Sequence, residues 1–219
     1  MKKVLACICS LLCLSFTGCQ EKIDVSEVSS DSSSEFVPAD ENEFVTPDEG
    51  SDEYDLGTYK VSPSGIKLYN ENGSVSDEIM NALEVYFTAF QNRDFDTYKE
   101  CLFPGYADHM EVYLRNNYEY GLQESFNNQC DNLENMCGGE FTITRLRAVP
   151  TGQDNCASFF EVLNESFDAD YYSMVKEESD SITDLYFSVM ADTKGEESLI
   201  ISEFEIVFAE KDGKYYTFG

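Results

Sequence analysis

The chain has 219 residues, 43 of them acidic and 14 basic, and a formal net charge of −29 at pH 7. That charge argues against nucleic acid as a partner, because phosphate binding needs basic patches, and it sets the chain against anionic lipid headgroups. Once the N-terminal leader and the polar stretch behind it are set aside, about 160 residues remain, which is one domain with room for a real core.

The first element is a short greasy segment. Lys2 and Lys3 open it, apolar residues fill most of 4–16, and Gly18 stands directly before Cys19. A basic start, an apolar centre and a small residue before the cut are the parts of a secretory signal peptide. The run is too short to span a bilayer, which takes about 20 apolar residues. Phe16-Thr17-Gly18-Cys19 resembles the bacterial lipoprotein signal, although Phe16 stands where leucine is usual. In that family the cysteine receives a diacylglycerol thioether, is freed by a dedicated peptidase and becomes the mature first residue. Of the early cysteines only Cys19 fits: Cys9 and Cys13 follow the larger Ile8 and Leu12, and Cys7 comes too early. The resemblance implies a cleaved leader over 1–18, lipidation of Cys19, and a location on the extracytoplasmic face of the cell membrane. Acyl chains alone would hold the protein there.

Residues 19–57 read as a lipid-anchored, acidic, disordered tether. They are rich in Ser, Asp and Glu, with Lys22 the single cation, and lack periodic apolar residues. Such a segment repels itself and extends; even a neutral coil of that length reaches roughly 35 Å. The acids over 47–55 lack the spacing and the glycine of a calcium loop.

The domain is expected over 58–219, with its core over 74–219. Residues 58–69 hold short extended pieces around Pro63, either an edge strand or an ordered arm, and end in the turn Asn70-Glu71-Asn72-Gly73. A helix begins at Ser74 or Ser76, where a hydroxyl caps free N–H groups while Asp77 and Glu78 complement the positive helix end. Ile79, Leu83, Tyr86, Phe87 and Phe90 follow at helical spacing. Asn92-Arg93-Asp94 breaks the pattern, and a short second helix turns Phe95, Tyr98 and Leu102 inward before Pro104-Gly105. A third helical region over 108–136 bends near Asn116-Asn117 or Gly121 and carries Leu122, Phe126, Cys130, Leu133 and Cys137 on one side, up to Gly138-Gly139. Next come a strand over 140–149 and one helix after Asp154 with Ala157, Phe160, Leu163, Phe167, Tyr171 and Met174 as its apolar side. Strands over 181–192, 198–210 and 214–218 finish the chain, the last two joined by the hairpin signal Asp212-Gly213.

Helices gathered first and strands after them give an α+β fold, with N-terminal helices packed on a curved antiparallel sheet. The step Phe90-Gln91-Asn92-Arg93-Asp94-Phe95 and the closing Asp212-Gly213-Lys214-Tyr215-Tyr216 resemble the nuclear transport factor 2-like (cystatin-like) cone. The resemblance covers 74–219, carries no catalytic signature, and leaves 108–136 as an insertion relative to the smallest members. It implies a cone-like sheet; the family's isomerases hold a carboxylate base and a tyrosine inside it, and no residue here matches those positions one by one.

His109 is the only histidine, so any histidine base must be this one. Its neighbour Asp108 points about 100° away on a helix, so the two form no dyad and His109 reads as a surface residue. Asp168, Asp170, Tyr171 and Tyr172 bring suitable acid–base groups close in sequence, with both aspartates expected on a solvated side. Tyr113, Tyr118 and Tyr120 read first as half-buried core edges and second as a recognition surface. Cys101, Cys130, Cys137 and Cys156 form no Cys-x-x-Cys pair, so no metal is expected, and no cofactor. Outside the cytoplasm disulfides are possible. Cys130 and Cys137 stand roughly 10 Å apart along one helix and cannot bond each other, so two bridges would join Cys101 to one and Cys156 to the other; free buried thiols are the open alternative.

The function expected is that of a membrane-anchored module, not an enzyme, binding a small ligand in the cone or another envelope protein. The competing reading, a small hydrolyase or isomerase, requires a deep pocket with two converging polar groups and a shifted acid. A spacer would have a filled cone and an exposed apolar patch.

Overall fold

A computed structural model describes residues 44–51, 54–70, 73–151 and 156–219. The leader, Cys19, the tether up to residue 43 and Asp154 lie outside the described residues. Part of the expected tether touches the sheet: Val45 forms an isolated antiparallel bridge with Tyr59, and Tyr54–Leu56 is a 3-10 turn.

Two short strands come first, β1 (Tyr59–Val61) and β2 (Lys67–Asn70), paired antiparallel, so the stretch before Gly73 is an edge of the sheet. Asn70 closes the following turn by donating from its amide to the Val75 carbonyl and accepting from the Val75 N–H at 2.9 Å. Then come α1 (Asp77–Gln91), capped by Ser76, and α2 (Phe95–Cys101), capped by Asp94 with Thr97 N–H at 3.0 Å. The expected third helix is two, α3 (Tyr106–Tyr118) and α4 (Leu122–Cys137), broken at Glu119, whose φ of 67° no helix tolerates. Glu111 bridges the break by accepting the Leu122 N–H at 2.6 Å. A Cβ on Gly121 would lie 2.7 Å from that carboxylate and would push the Glu111 side chain aside.

After β3 (Thr142–Pro150), the expected fourth helix is also two, α5 (Cys156–Phe167) and α6 (Tyr171–Glu178). Asp168 takes a positive φ of 50°, and Asp170 caps α6 through Ser173 N–H. The long strands β4 (Ser181–Thr193) and β5 (Glu196–Lys211) and the short β6 (Lys214–Thr217) complete the chain.

The fold is α+β, and the described residues form six helices and one curled sheet in the order β1-β2-β3-β4-β5-β6. Two expectations need correction. The helices follow β1 and β2 instead of leading the sheet, and the sheet is mixed, because β2 and β3 run parallel with Leu68 opposite Leu146. Parallel neighbours need a long crossover, and α1 to α4 together supply it.

Register places Leu146, Ala148, Leu185, Phe187, Val189 and Ile206 on one face. That face meets α1 where the rings of Phe87 and Phe187 lie 4.9 Å apart. At the other end of the sheet, Phe218 is ringed by Phe103, Tyr106, Phe160 and Tyr171, which ties α3, α5 and α6 to the chain after β6.

Candidate functional site

The space between α1, α2 and α4 is filled with rings. Phe126 of α4 lies 4.7 Å from Tyr98 and 5.0 Å from Phe90, and Tyr86 lies 5.2 Å from both Phe87 and Phe90. Tyr86, Phe87, Phe90, Tyr98 and Phe126 are all buried. Burial pushes the Tyr86 and Tyr98 hydroxyls well above the ordinary phenol range, so both are neutral groups and not bases.

The residues singled out from sequence do not converge on a site. His109 is exposed on α3 and stacks on Phe167 at 5.1 Å, with Asp108 exposed beside it. Asp168 and Asp170 are exposed, the latter engaged as a helix cap, while Tyr171 is buried under Phe167 and His109. Tyr172 stacks on Phe160 at 4.7 Å. Tyr113 is buried, and Tyr118 and Tyr120 are half-buried against it in a chain of ring contacts, the arrangement of a core edge.

Cys101, Cys130 and Cys137 are free thiols; Cys130 and Cys156 are buried, and Cys101 and Cys137 are half-buried. Cys130 and Cys137 share α4. Among the described residues no group of three or more His, Cys, Asp or Glu side chains could hold a metal.

A pair of carboxyl groups that the sequence did not single out is the most distinctive polar arrangement. Asp184 on β4 is buried among strand residues, and Glu205 on β5 is half-buried beside it. Register sets Glu205 opposite Tyr186 and Asp184 opposite Val207, so the two acids are diagonal neighbours on the sheet face turned away from Phe187. Thr151 approaches the pair through its hydroxyl, 3.3 Å from Asp184 Oδ2. Arg147, opposite Ser188, lies on the same face.

Loss of water and then the negative charge of Asp184 hold the Glu205 carboxyl above the usual carboxylate range. Either acid alone looked like an ordinary solvated residue. Only the phase of both strands, Leu185-Phe187-Val189 against Phe204-Ile206-Phe208, together with their register, brings them together.

A cleft of about 610 Å³ between α2, α3 and α4 carries Lys99, Glu111, Arg115 and Glu124 on its walls. The Leu122 N–H holds the Glu111 carboxyl below its usual range, and Arg115 adds to this.

Comparison with known proteins finds no family model, no characterised protein and no solved structure that matches this chain.

Proposed function

We propose that this protein is a lipoprotein, anchored through Cys19 to the extracytoplasmic face of the cell membrane, whose domain of nuclear transport factor 2-like type is a protein-interaction module. The observation that supports the interaction reading is ring packing inside the domain: Phe126, Tyr98 and Phe90 lie against one another and are buried. Recognition then falls to the outside of the domain. The anchor is supported by the residue pattern Lys2-Lys3, the apolar run and Gly18-Cys19.

The enzymatic reading has weaker support. It asks for a shifted acid inside a cavity, and the shifted acid, Glu205, lies on the sheet face turned away from the aromatic interior.

Metabolic labelling with palmitate tests the anchor. The wild-type chain takes up label and fractionates with membranes, and Cys19→Ser does neither. Label on the Cys19→Ser chain, or wild-type protein recovered in the cytosol with residues 1–18 attached, would refute it. Crosslinking on intact cells followed by mass spectrometry tests the interaction reading, which fails if the domain crosslinks to no other protein.

A further inference from the structure

The strand β5 is sixteen residues long and is covered unequally on its two sides. β4 pairs with it from Glu196 to Glu210, whereas β6 covers only Phe208 to Lys211 on the opposite side. Among the described residues no other backbone hydrogen bond or bridge reaches that opposite side over 196–207. An uncovered edge presents a row of N–H and C=O groups ready to pair with another chain. Two features limit what can pair. Glu203 takes a φ of 48° near register irregularities, which bends the strand, and Glu196, Glu197, Glu203 and Glu205 make it acidic.

Beside this edge lies a cleft of about 500 Å³ between the end of α4 and the start of β5, lined by Met136, Cys137, Leu199 and Ile200 among others. Met136 is 46% exposed and Leu199 55% exposed, so two large apolar side chains face one depression in water. A helix beside an open strand edge is the geometry that takes an extended peptide: the backbone supplies affinity and alternate side chains supply specificity.

Charge decides between occupants. A second copy of β5 would set glutamates against glutamates, and the chain's own tether is acidic throughout 23–57. Both are repelled.

We propose that the open edge of β5 accepts an extended, cationic segment of a partner protein as an added strand, seating an apolar side chain between Met136 and Leu199 and basic side chains against Glu196 and Glu203. Lys194, on the rim of the cleft, sets where the basic positions of that segment must stop. The proposal deepens the interaction reading and rests on it; it is independent of the anchor at Cys19.

The test uses the full-length chain and a labelled peptide of about ten residues alternating lysine and valine, long enough for one strand. Fluorescence anisotropy should show saturable binding, and a glutamate–valine peptide should not bind. Methylating the peptide's backbone nitrogens along one edge should abolish binding, because a ladder needs those N–H groups. Leu199→Asn, which leaves charge unchanged at an exposed position, should weaken binding about tenfold, and Met136→Asn should do the same from the opposite wall. No saturable binding would overturn the proposal. So would equal binding of the methylated peptide or unchanged affinity of both variants, since either would mean diffuse charge attraction. Self-association of the chain that Leu199→Asn abolishes would also overturn it, by assigning the edge to a second copy. The crosslinking experiment is separate: partners crosslinked elsewhere on the domain would leave the interaction reading standing while this proposal failed.

Discussion

Asp184 and Glu205 sit diagonally across the β4–β5 ladder on one face of the sheet, close enough for the charge of one carboxyl to act on the other. Burial and the Asp184 charge raise the Glu205 carboxyl in the folded state above its unfolded value of about 4.3. A raised acid contributes stability that is complete below the unfolded value and is lost as pH rises through the folded one. From about pH 4.3 upward, the wild-type chain should therefore lose stability from this pair. Glu205→Gln keeps a hydrogen-bonding side chain and removes the second charge. It should stabilise the protein at pH 7 by on the order of 1 kcal/mol and flatten the loss between pH 5 and 7. Urea unfolding midpoints of both chains at the two pH values check this. The overall negative charge also weakens the fold as pH rises, but it acts on both chains alike, so only the difference between them counts. Parallel pH dependences would remove the raised Glu205 carboxyl from the account.

Phe126 packs α4 against α1 and α2: its ring meets Phe90, Phe95 and Tyr98 and is fully buried. Phe126→Ala should destabilise the domain by about 3–5 kcal/mol through lost burial and the cavity left behind. Phe126→Leu, which keeps most of the volume, should lose less than half of that. Chemical denaturation followed by circular dichroism measures both. A small effect of the alanine variant would mean that the interior is loosely filled, and would bring the ligand-in-cone reading back.

What could be read in the sequence was local. Ser76 caps the first helix, the expected break at Asn92-Arg93-Asp94 separates it from the second, Glu119 breaks the third region next to the expected bend at Gly121, and Gly138 ends α4, because capping and positive-φ chemistry sit in neighbouring residues. What could not be read depends on partners far along the chain. β2 pairs parallel with β3 across four helices, and no short-range pattern states the direction of such a crossover. The break between α5 and α6 was hidden because Phe167, Tyr171 and Met174 keep helical spacing across Asp168, which leaves the helix by taking a positive φ. The carboxyl pair was hidden for a similar reason: each acid has the right phase for a solvated residue, and their meeting follows from register alone.

Asp212 and Gly213 have φ values of 55° and 73°, both positive, and join Lys211 to Lys214 by a two-residue turn. The first position tolerates an aspartate, whereas a β-branched residue at the second would be strained. Gly213→Val should cost about 1–2 kcal/mol, and Asp212→Asn should be nearly neutral. β6 carries Tyr216, 6.1 Å from Phe103, and Thr217, whose carbonyl accepts from Phe103 N–H at 2.9 Å. Loosening the turn should therefore first expose the junction between α2 and α3. Hydrogen exchange at Phe103 in Gly213→Val checks this, and exchange accelerated only within β5 and β6 would contradict it.

The thiols give a chemical readout of the same packing. Burial pushes Cys101 and Cys130 up to about 11, and it raises Cys137 as well, so the thiolate needed for alkylation is scarce near neutral pH. At pH 8 a native thiol at 11 is ionised about a hundredfold less than one at 9. Native protein should therefore label with iodoacetamide at least about tenfold more slowly at Cys101 and Cys130 than denatured protein does. Intact-mass spectrometry before and after denaturation separates this from disulfide formation. Free thiols give full labelling once unfolded, whereas a bridge withholds two labels until a reductant is added. Fast native labelling of Cys130 would contradict its buried place between Phe126 and Leu133 on α4, and with it the seating of that helix on the aromatic interior.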